Sequence, residues 1–373
     1  MSIFFCDMKK ICNFVSKQMC MNILFDHQIF YKKYGGASKY FVKMIASMPE
    51  GSWKTTALLS SNEYVKDTGL FKTYPYLFRG QALVLDYINR PYTNKVLRKG
   101  DYDVFHQTNF GTYCLKSVGQ KPMVTTYHDA NLSTIDPHPY IVKMQEASVR
   151  RADAVVVVSK NTKQDLLHLF DIDEKKVKVI YHGIDIPDTD ILHGQPLFPF
   201  PYILYVGRRS EYKNFSRFIK AFSLMKHQYP DLRVVCTFTP FTKQELEFFS
   251  SLGVEENIIH IYADEMMMKQ LYHQALYFVF PSLYEGFGMP ILEAWSCGCP
   301  VALANASCFP EIAGDGALYF DPMSVDDIHD KMKQLVDRLE LRQSLIEKGK
   351  ERVKMFSWKK CAEQHIQLYQ SLI

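Results

Sequence analysis

Short apolar runs alternate with stretches of helical periodicity from residue 22 to residue 320, and this alternation most constrains the fold. It marks repeated βα units and parallel sheets. In the first half the runs fall at 22–26, 57–59, 104–106, 123–128, 154–159 and 177–181. The run Ala154 to Val158 is β-branched and uniformly apolar, as a strand buried on both faces should be. Residues 185–201 hold four prolines and little periodicity, which reads as a linker. The pattern then restarts at 202–206, 232–236, 258–262, 276–280, 301–304 and 317–320. A chain of 373 residues with 47% hydrophobic content can build two cores, so two α/β domains are expected, 21–190 and 191–356.

Charge and cysteine usage narrow the class further. The net charge is only +4, yet residues 1–100 hold 15 Lys and Arg against 6 Asp and Glu. Such asymmetry suits an anionic partner, and an anionic membrane surface is preferred over nucleic acid; scattered solvated lysines are the bland reading. The nine cysteines lack metal-ligand spacing and read as reduced thiols of a cytoplasmic protein. No run of 18 apolar residues predicts a transmembrane helix. Lys9, Lys10 and Lys17 interrupt the first twenty residues, which do not read as a signal peptide. Met21 directly precedes the first strand, so residues 1–20 are expected to be a dispensable extension.

The stretch from Glu285 to Glu293 carries the sharpest chemistry. An apolar strand leads to Gly286 and Gly288, and Pro290 then sits where a helix should begin. A glycine loop feeding a helix start offers free amides and the positive end of a dipole, hence an anion site. Glu293, expected in the first helical turn, can accept hydrogen bonds from hydroxyls. Together these suit a ligand that is anionic at one end and rich in hydroxyls at the other, as a nucleotide sugar is. After the first strand of the second half come Gly207, Arg208, Arg209, Lys213 and Asn214. Arg208 and Lys213 can neutralise a diphosphate, while Arg209 reads as solvated. In the first half, Gly35 and Gly36 lie between strand and helix, either a plain turn or a close approach to a ligand. His128 and His106 end adjacent strands, His128 placed for a hydroxyl hydrogen bond or a proton transfer. Three Asp-x-Asp triplets exist, at Asp101, Asp171 and Asp188, but none ends a strand beside a phosphate loop.

The segment Pro281-Ser-Leu-Tyr-Glu285-Gly-Phe287-Gly288-Met289-Pro-Ile-Leu-Glu293 resembles the signature of family 4 of the retaining glycosyltransferases. The resemblance implies the GT-B fold, two Rossmann-like domains facing across a cleft, with residues 357–373 forming a helix that returns to the first domain. It implies donor contacts from Gly35, Gly36, Phe287, Gly288 and Met289. Glu285 would hold the donor sugar and Glu293 the ribose, and Arg208 and Lys213 would grip the phosphates. His128 would reach the transferred sugar and His106 would shape the acceptor side; His182 departs from the family pattern and reads as structural. No nucleophile is evident, so the implied mechanism is metal-independent same-face substitution without a cofactor. The residues around Phe25 and Tyr34 look most like bacterial surface-polysaccharide mannosyltransferases. Hexose transfer from GDP-mannose, or from a UDP-sugar, to a saccharide or polyprenyl-diphosphate-linked acceptor is therefore expected. The enzyme would work in the cytoplasm, peripherally on the inner face of the membrane. A 2-epimerase of the same shape, or a non-catalytic nucleotide-sugar binder, is the alternative.

Overall fold

The computed structural model describes residues 21–131, 138–192 and 194–373; the expectation for residues 1–20 lies outside them. The chain divides into two compact units. The first ends at Gly183 and takes up the chain again at Trp358–Ile373; the second is Ile184–Ser357. The division thus falls ahead of the proline-bearing stretch, which belongs to the second unit.

The first unit holds six parallel strands: β1 (Ile23–Phe25), β2 (Trp53–Thr55), β3 (Val104–Gln107), β4 (Met123–Tyr127), β5 (Ala154–Val157) and β6 (Val177–Val179). Their order in the sheet is β2-β1-β3-β4-β5-β6. Every residue of β3, β4 and β5 is buried; β5 is accordingly apolar without alternation, while β3 and β4 also bury His106, Gln107, Thr125 and Thr126. The strand expected at 57–59 is instead β2, a few residues earlier. It is a half-exposed edge strand, so its sequence Trp53-Lys-Thr lacks the apolar signature. The apolar residues that follow form a loop, pinned where Asn89 Oδ1 accepts the Leu58 N–H at 2.8 Å.

The final helix, Trp358–Gln370, buries Trp358, Cys361, Ala362, His365, Ile366 and Tyr369 along one face, the spacing of an amphipathic helix. It packs on helix Gly36–Ala46 within the first unit, where the Tyr40 hydroxyl lies 2.9 Å from His365 Nε2. Burying Trp358, Ile366 and Tyr369 stabilises this attachment by roughly 1.5–3 kcal/mol for each large side chain.

The second unit holds β7 (Tyr202–Tyr205), β8 (Arg233–Cys236), β9 (Ile258–His260), β10 (Tyr277–Phe280), β11 (Val301–Ala304) and β12 (Leu318–Phe320), all parallel. Their order is β12-β11-β10-β7-β8-β9. The chain reverses its direction of travel between β7 and β10, the crevice where open α/β sheets bind ligands. Helix Phe215–Ser223 packs there through Phe215, Phe218, Ile219 and Phe222. Among the described residues no helix is long and apolar enough to cross a membrane.

Candidate active site

Two loops leave the carboxyl ends of β7 and β10, and the sheet order makes them neighbours although they are far apart in sequence. Residues 206–214 follow β7 and residues 281–288 follow β10. The Leu283 N–H donates to the Tyr212 carbonyl at 2.7 Å and ties the loops together. Across this seam Lys213 Nζ donates to Glu285 Oε1. Both side chains are more than four-fifths buried, at 16% and 17% exposure, so the pair is desolvated enough to strengthen its attraction.

Local geometry fixes each partner. Lys213 ends a short 3₁₀ turn, Glu211–Lys213, and Asn214 then takes φ 57° and opens helix Phe215–Ser223. The Asn214 amide donates to the Pro322 carbonyl at 2.7 Å, and Arg217 donates to Asn214 Oδ1 at 2.9 Å, so this corner is held from two sides. Glu285 is gripped by Ser307. Ser307 Oγ donates to the Glu285 carbonyl at 2.6 Å and accepts its N–H at 3.2 Å. Ser307 itself sits at φ 53°. Sequence reading missed it; the available signal was a small hydroxyl residue just beyond β11, the strand beside β10.

Helix Met289–Ser296 starts at Gly288, with Pro290 in its first two positions and no side-chain cap. Gly288 has φ 89°, and a Cβ there would stand 2.9 Å from Ile291 Cδ1 and 3.1 Å from Phe309 Cε1. Conformation and space both require glycine at this corner. The N–H groups of Gly288 and Met289 are left for a ligand or water, whereas Pro290 has none and the Ile291 N–H donates to the Gly288 carbonyl at 2.9 Å. Glu293 lies one residue further into the helix than the sequence suggests, past the first turn, because the helix begins at Met289. It is too far from the helix start to serve as a cap, and its Oε2 accepts from the Tyr272 hydroxyl at 3.4 Å. Phe287 is buried and packs edge-on against Phe356, so its ring belongs to the core of the second unit.

The two arginines after β7 part company. Arg208 is exposed, with its guanidinium 5.6 Å from the Phe238 ring centroid. Arg209, expected to be solvated, is instead a buried strut. It pairs with Glu245 at 2.5 Å and donates to the Thr239 and Pro240 carbonyls at 2.9 and 2.8 Å. The loop after β8 and the capped helix Lys243–Ser251 supply those acceptors, which the sequence alone does not bring near.

In the first unit, Gly35 is extended and precedes helix Gly36–Ala46; a Cβ at Gly36 would meet nothing within 4 Å. Neither a left-handed turn nor crowding within the chain requires glycine here. His128 ends β4 edge-on to Tyr40, and its Nε2 is buried without a hydrogen-bond partner among the described residues. Burial pulls its pKa down to about 4, so it is a neutral imidazole at neutral pH. His106, expected on the acceptor side, is fully buried; its Nδ1 lies 2.6 Å from the Tyr369 hydroxyl and its Nε2 2.8 Å from Thr126 Oγ1. It fastens the final helix and faces no solvent. His182, read as structural, is also buried and stacks on Trp358.

Acids of the Asp-x-Asp triplets have local duties. Asp101 pairs with Lys99 at 2.5 Å, Asp103 accepts the Asn22 N–H at 2.7 Å, and Asp173 caps a 3₁₀ turn.

The model of glycosyl transferases group 1 matches residues 193–352, and that of Glycosyltransferase Family 4 matches residues 34–187. The chain is 30% identical over 269 residues to the O-antigen chain mannosyltransferase B of Escherichia coli, covering 67% of this chain and 70% of that protein. It is 27% identical over 217 residues to a Campylobacter jejuni protein, N-acetylgalactosamine-N,N'-diacetylbacillosaminyl-diphospho-undecaprenol 4-alpha-N-acetylgalactosaminyltransferase, covering 57% and 58%. Its fold matches Anabaena Alr3699/HepE in complex with UDP and glucose at a TM-score of 0.75 and 17% identity, over 94% of this chain and 100% of that one.

Proposed function

The chain belongs to family 4 of the glycosyltransferases, and from that premise we propose that it transfers mannose from GDP-mannose, with retention, to a saccharide borne on a polyprenyl diphosphate. The observation that carries the reading is the Lys213–Glu285 pair at the sheet's reversal point, beside a helix start shaped by Gly288. A cation, a carboxylate and free amides converge there, the set a nucleotide sugar needs. Mannose is favoured by the Escherichia coli relative, and the lipid carrier by the name of the Campylobacter one.

In this reading Lys213, Arg208 and the Gly288 and Met289 amides stabilise the diphosphate as it leaves. Glu285 orients the sugar's hydroxyls beside the reacting carbon and balances charge developing there. Glu293 accepts from the ribose hydroxyls, oriented by Tyr272. The departing phosphate oxygen takes the acceptor's proton, so bond breaking and making occur on one face of the sugar. Neutral His128 is the first unit's hydrogen-bonding group for a hydroxyl of the reactants. His106 drops out of the acceptor role because both its ring nitrogens are engaged inside the fold.

The test incubates the chain with GDP-mannose, UDP-glucose or UDP-N-acetylglucosamine and a polyprenyl-diphosphate saccharide. Mannosylated lipid with the α-anomer retained is the expected product; a product only from a UDP-sugar, or an inverted linkage, overturns the reading. Because Lys213 and Arg208 supply the positive charge at the phosphates, turnover is expected to persist in excess EDTA. Loss of activity restored only by Mg²⁺ or Mn²⁺ would reassign that charge to a metal.

A further inference from the structure

Helix Gln81–Lys99, in the first unit, is inside out. Its inward face carries Gln81, Asp86, Asn89 and Thr93 beside Leu85 and Leu97, while Leu83, Val84, Tyr87 and Ile88 are exposed. The inward polar groups fix this orientation. Asp86 lies 3.0 Å from His27 Nε2 and pairs with Arg90 at 2.6 Å, and Asn89 donates to the Leu59 and Leu85 carbonyls. Rolling the helix to hide its apolar side would break all of these, so the apolar face is locked outward.

The four outward residues occupy positions i, i+1, i+4 and i+5 and so share one face. Leu83 is 72% and Tyr87 78% exposed, so they project rather than line a groove. The preceding segment extends the patch with exposed Tyr74, Tyr76, Leu77 and Phe78. It is bolted to the helix start: Gln81 accepts the Leu77 N–H at 2.6 Å and donates to the Pro75 carbonyl at 2.8 Å. An exposed apolar surface of this kind marks an interaction site.

Charge identifies the occupant. Residues 72–99 hold six Lys and Arg against one acid, Asp86, which is already paired. Lys72 Nζ lies 5.3 Å from the Tyr74 ring centroid and Lys33 Nζ 5.9 Å from that of Tyr76, so cations rim the aromatic patch. Lys95 and Arg98 continue the basic surface along the helix. Projecting Leu, Tyr and Phe ringed by Lys and Arg is the chemistry of a bilayer interface. We propose that this face docks the chain on an anionic lipid bilayer. The apolar side chains enter the headgroup boundary and the cations meet lipid phosphates. The inference requires no particular donor or acceptor.

The experiment is co-sedimentation of the full chain with phosphatidylcholine vesicles, with and without phosphatidylglycerol, at low and high salt. Binding that depends on phosphatidylglycerol and weakens with salt is expected. The double variant Leu83→Gln, Tyr87→Gln should reduce partitioning by about tenfold or more, with melting unchanged because both side chains are exposed. Unaltered partitioning of the variant, or no binding by the parent chain, overturns the proposal. As a second readout, Tyr87→Trp should be quenched by brominated phosphatidylglycerol; no quenching overturns it. Concentration-dependent dimerisation abolished by the same double variant would assign the face to a second copy of the chain and likewise overturn it.

Discussion

Glu285→Gln is expected to lower kcat by about 100-fold or more, on the order of 2.7 kcal/mol, with little change in donor KM. Gln keeps the shape and can still meet Lys213, so the packing of this corner survives. What it removes is the negative charge beside the reacting centre, an interaction that strengthens only as positive charge develops on the sugar. Glu293→Gln should behave differently. In the proposed site it would hold the ribose, which does not react, so its loss should appear chiefly in donor KM. The rival view makes Glu285 a structural counter-ion for Lys213 alone. That view predicts a lower melting temperature and nearly unaltered kcat. Because the two side chains touch, Lys213→Met combined with Glu285→Gln should cost less than the two single changes added together. Steady-state kinetics and melting curves of the four variants separate these accounts, and wild-type kcat in Glu285→Gln would sink the catalytic assignment.

The positions of most strands along the chain were legible because parallel strands buried on both faces are short, largely apolar runs. β2 was not, since an edge strand of Trp, Lys and Thr carries no such constraint and the apolar residues beyond it serve a loop. In the site, the glycine-loop-and-helix segment could be read locally, because Gly288 and Pro290 act within one turn. Pairing across loops could not. Lys213 and Glu285 are 72 residues apart, and only the sheet's reversal between β7 and β10 brings them together. Ser307 and Tyr272, which steady the two glutamates, depend on the same packing. Arg208 and Arg209 look equivalent in sequence; Glu245, from a different strand–helix connection, decides which is a strut.

Acid should destabilise the first unit well above the pH at which carboxylates titrate. Four histidines, His106, His128, His182 and His365, gather there around Tyr40, Trp358 and Tyr369. Sequence position suggested separate duties for three of them, yet burial gives all four the same electrostatic character. Desolvation lowers every one, with His128 and His365 pulled down to about 4 and His106 and His182 well below the usual range. His365 shows how. Its Nδ1 lies 2.8 Å from the Cys361 carbonyl, which can only accept, so Nδ1 carries the proton and Nε2 accepts from the Tyr40 hydroxyl. A second proton would charge a ring fully enclosed by the final helix and helix Gly36–Ala46. The folded pKa lies below the unfolded one, so below pH ~6.5 the unfolded chain binds more protons and stability is lost as the pH is lowered. For His365 alone the loss between pH ~6.5 and pH ~5 is about 2 kcal/mol, and the other three act in the same direction. Urea unfolding followed by circular dichroism should therefore show a steep drop between neutral pH and pH ~5. His365→Asn should flatten that slope by about one proton's worth. Equal stability at the two pH values would show that these histidines charge freely in the fold, and would remove the basis for treating His128 as a neutral hydrogen-bonding group.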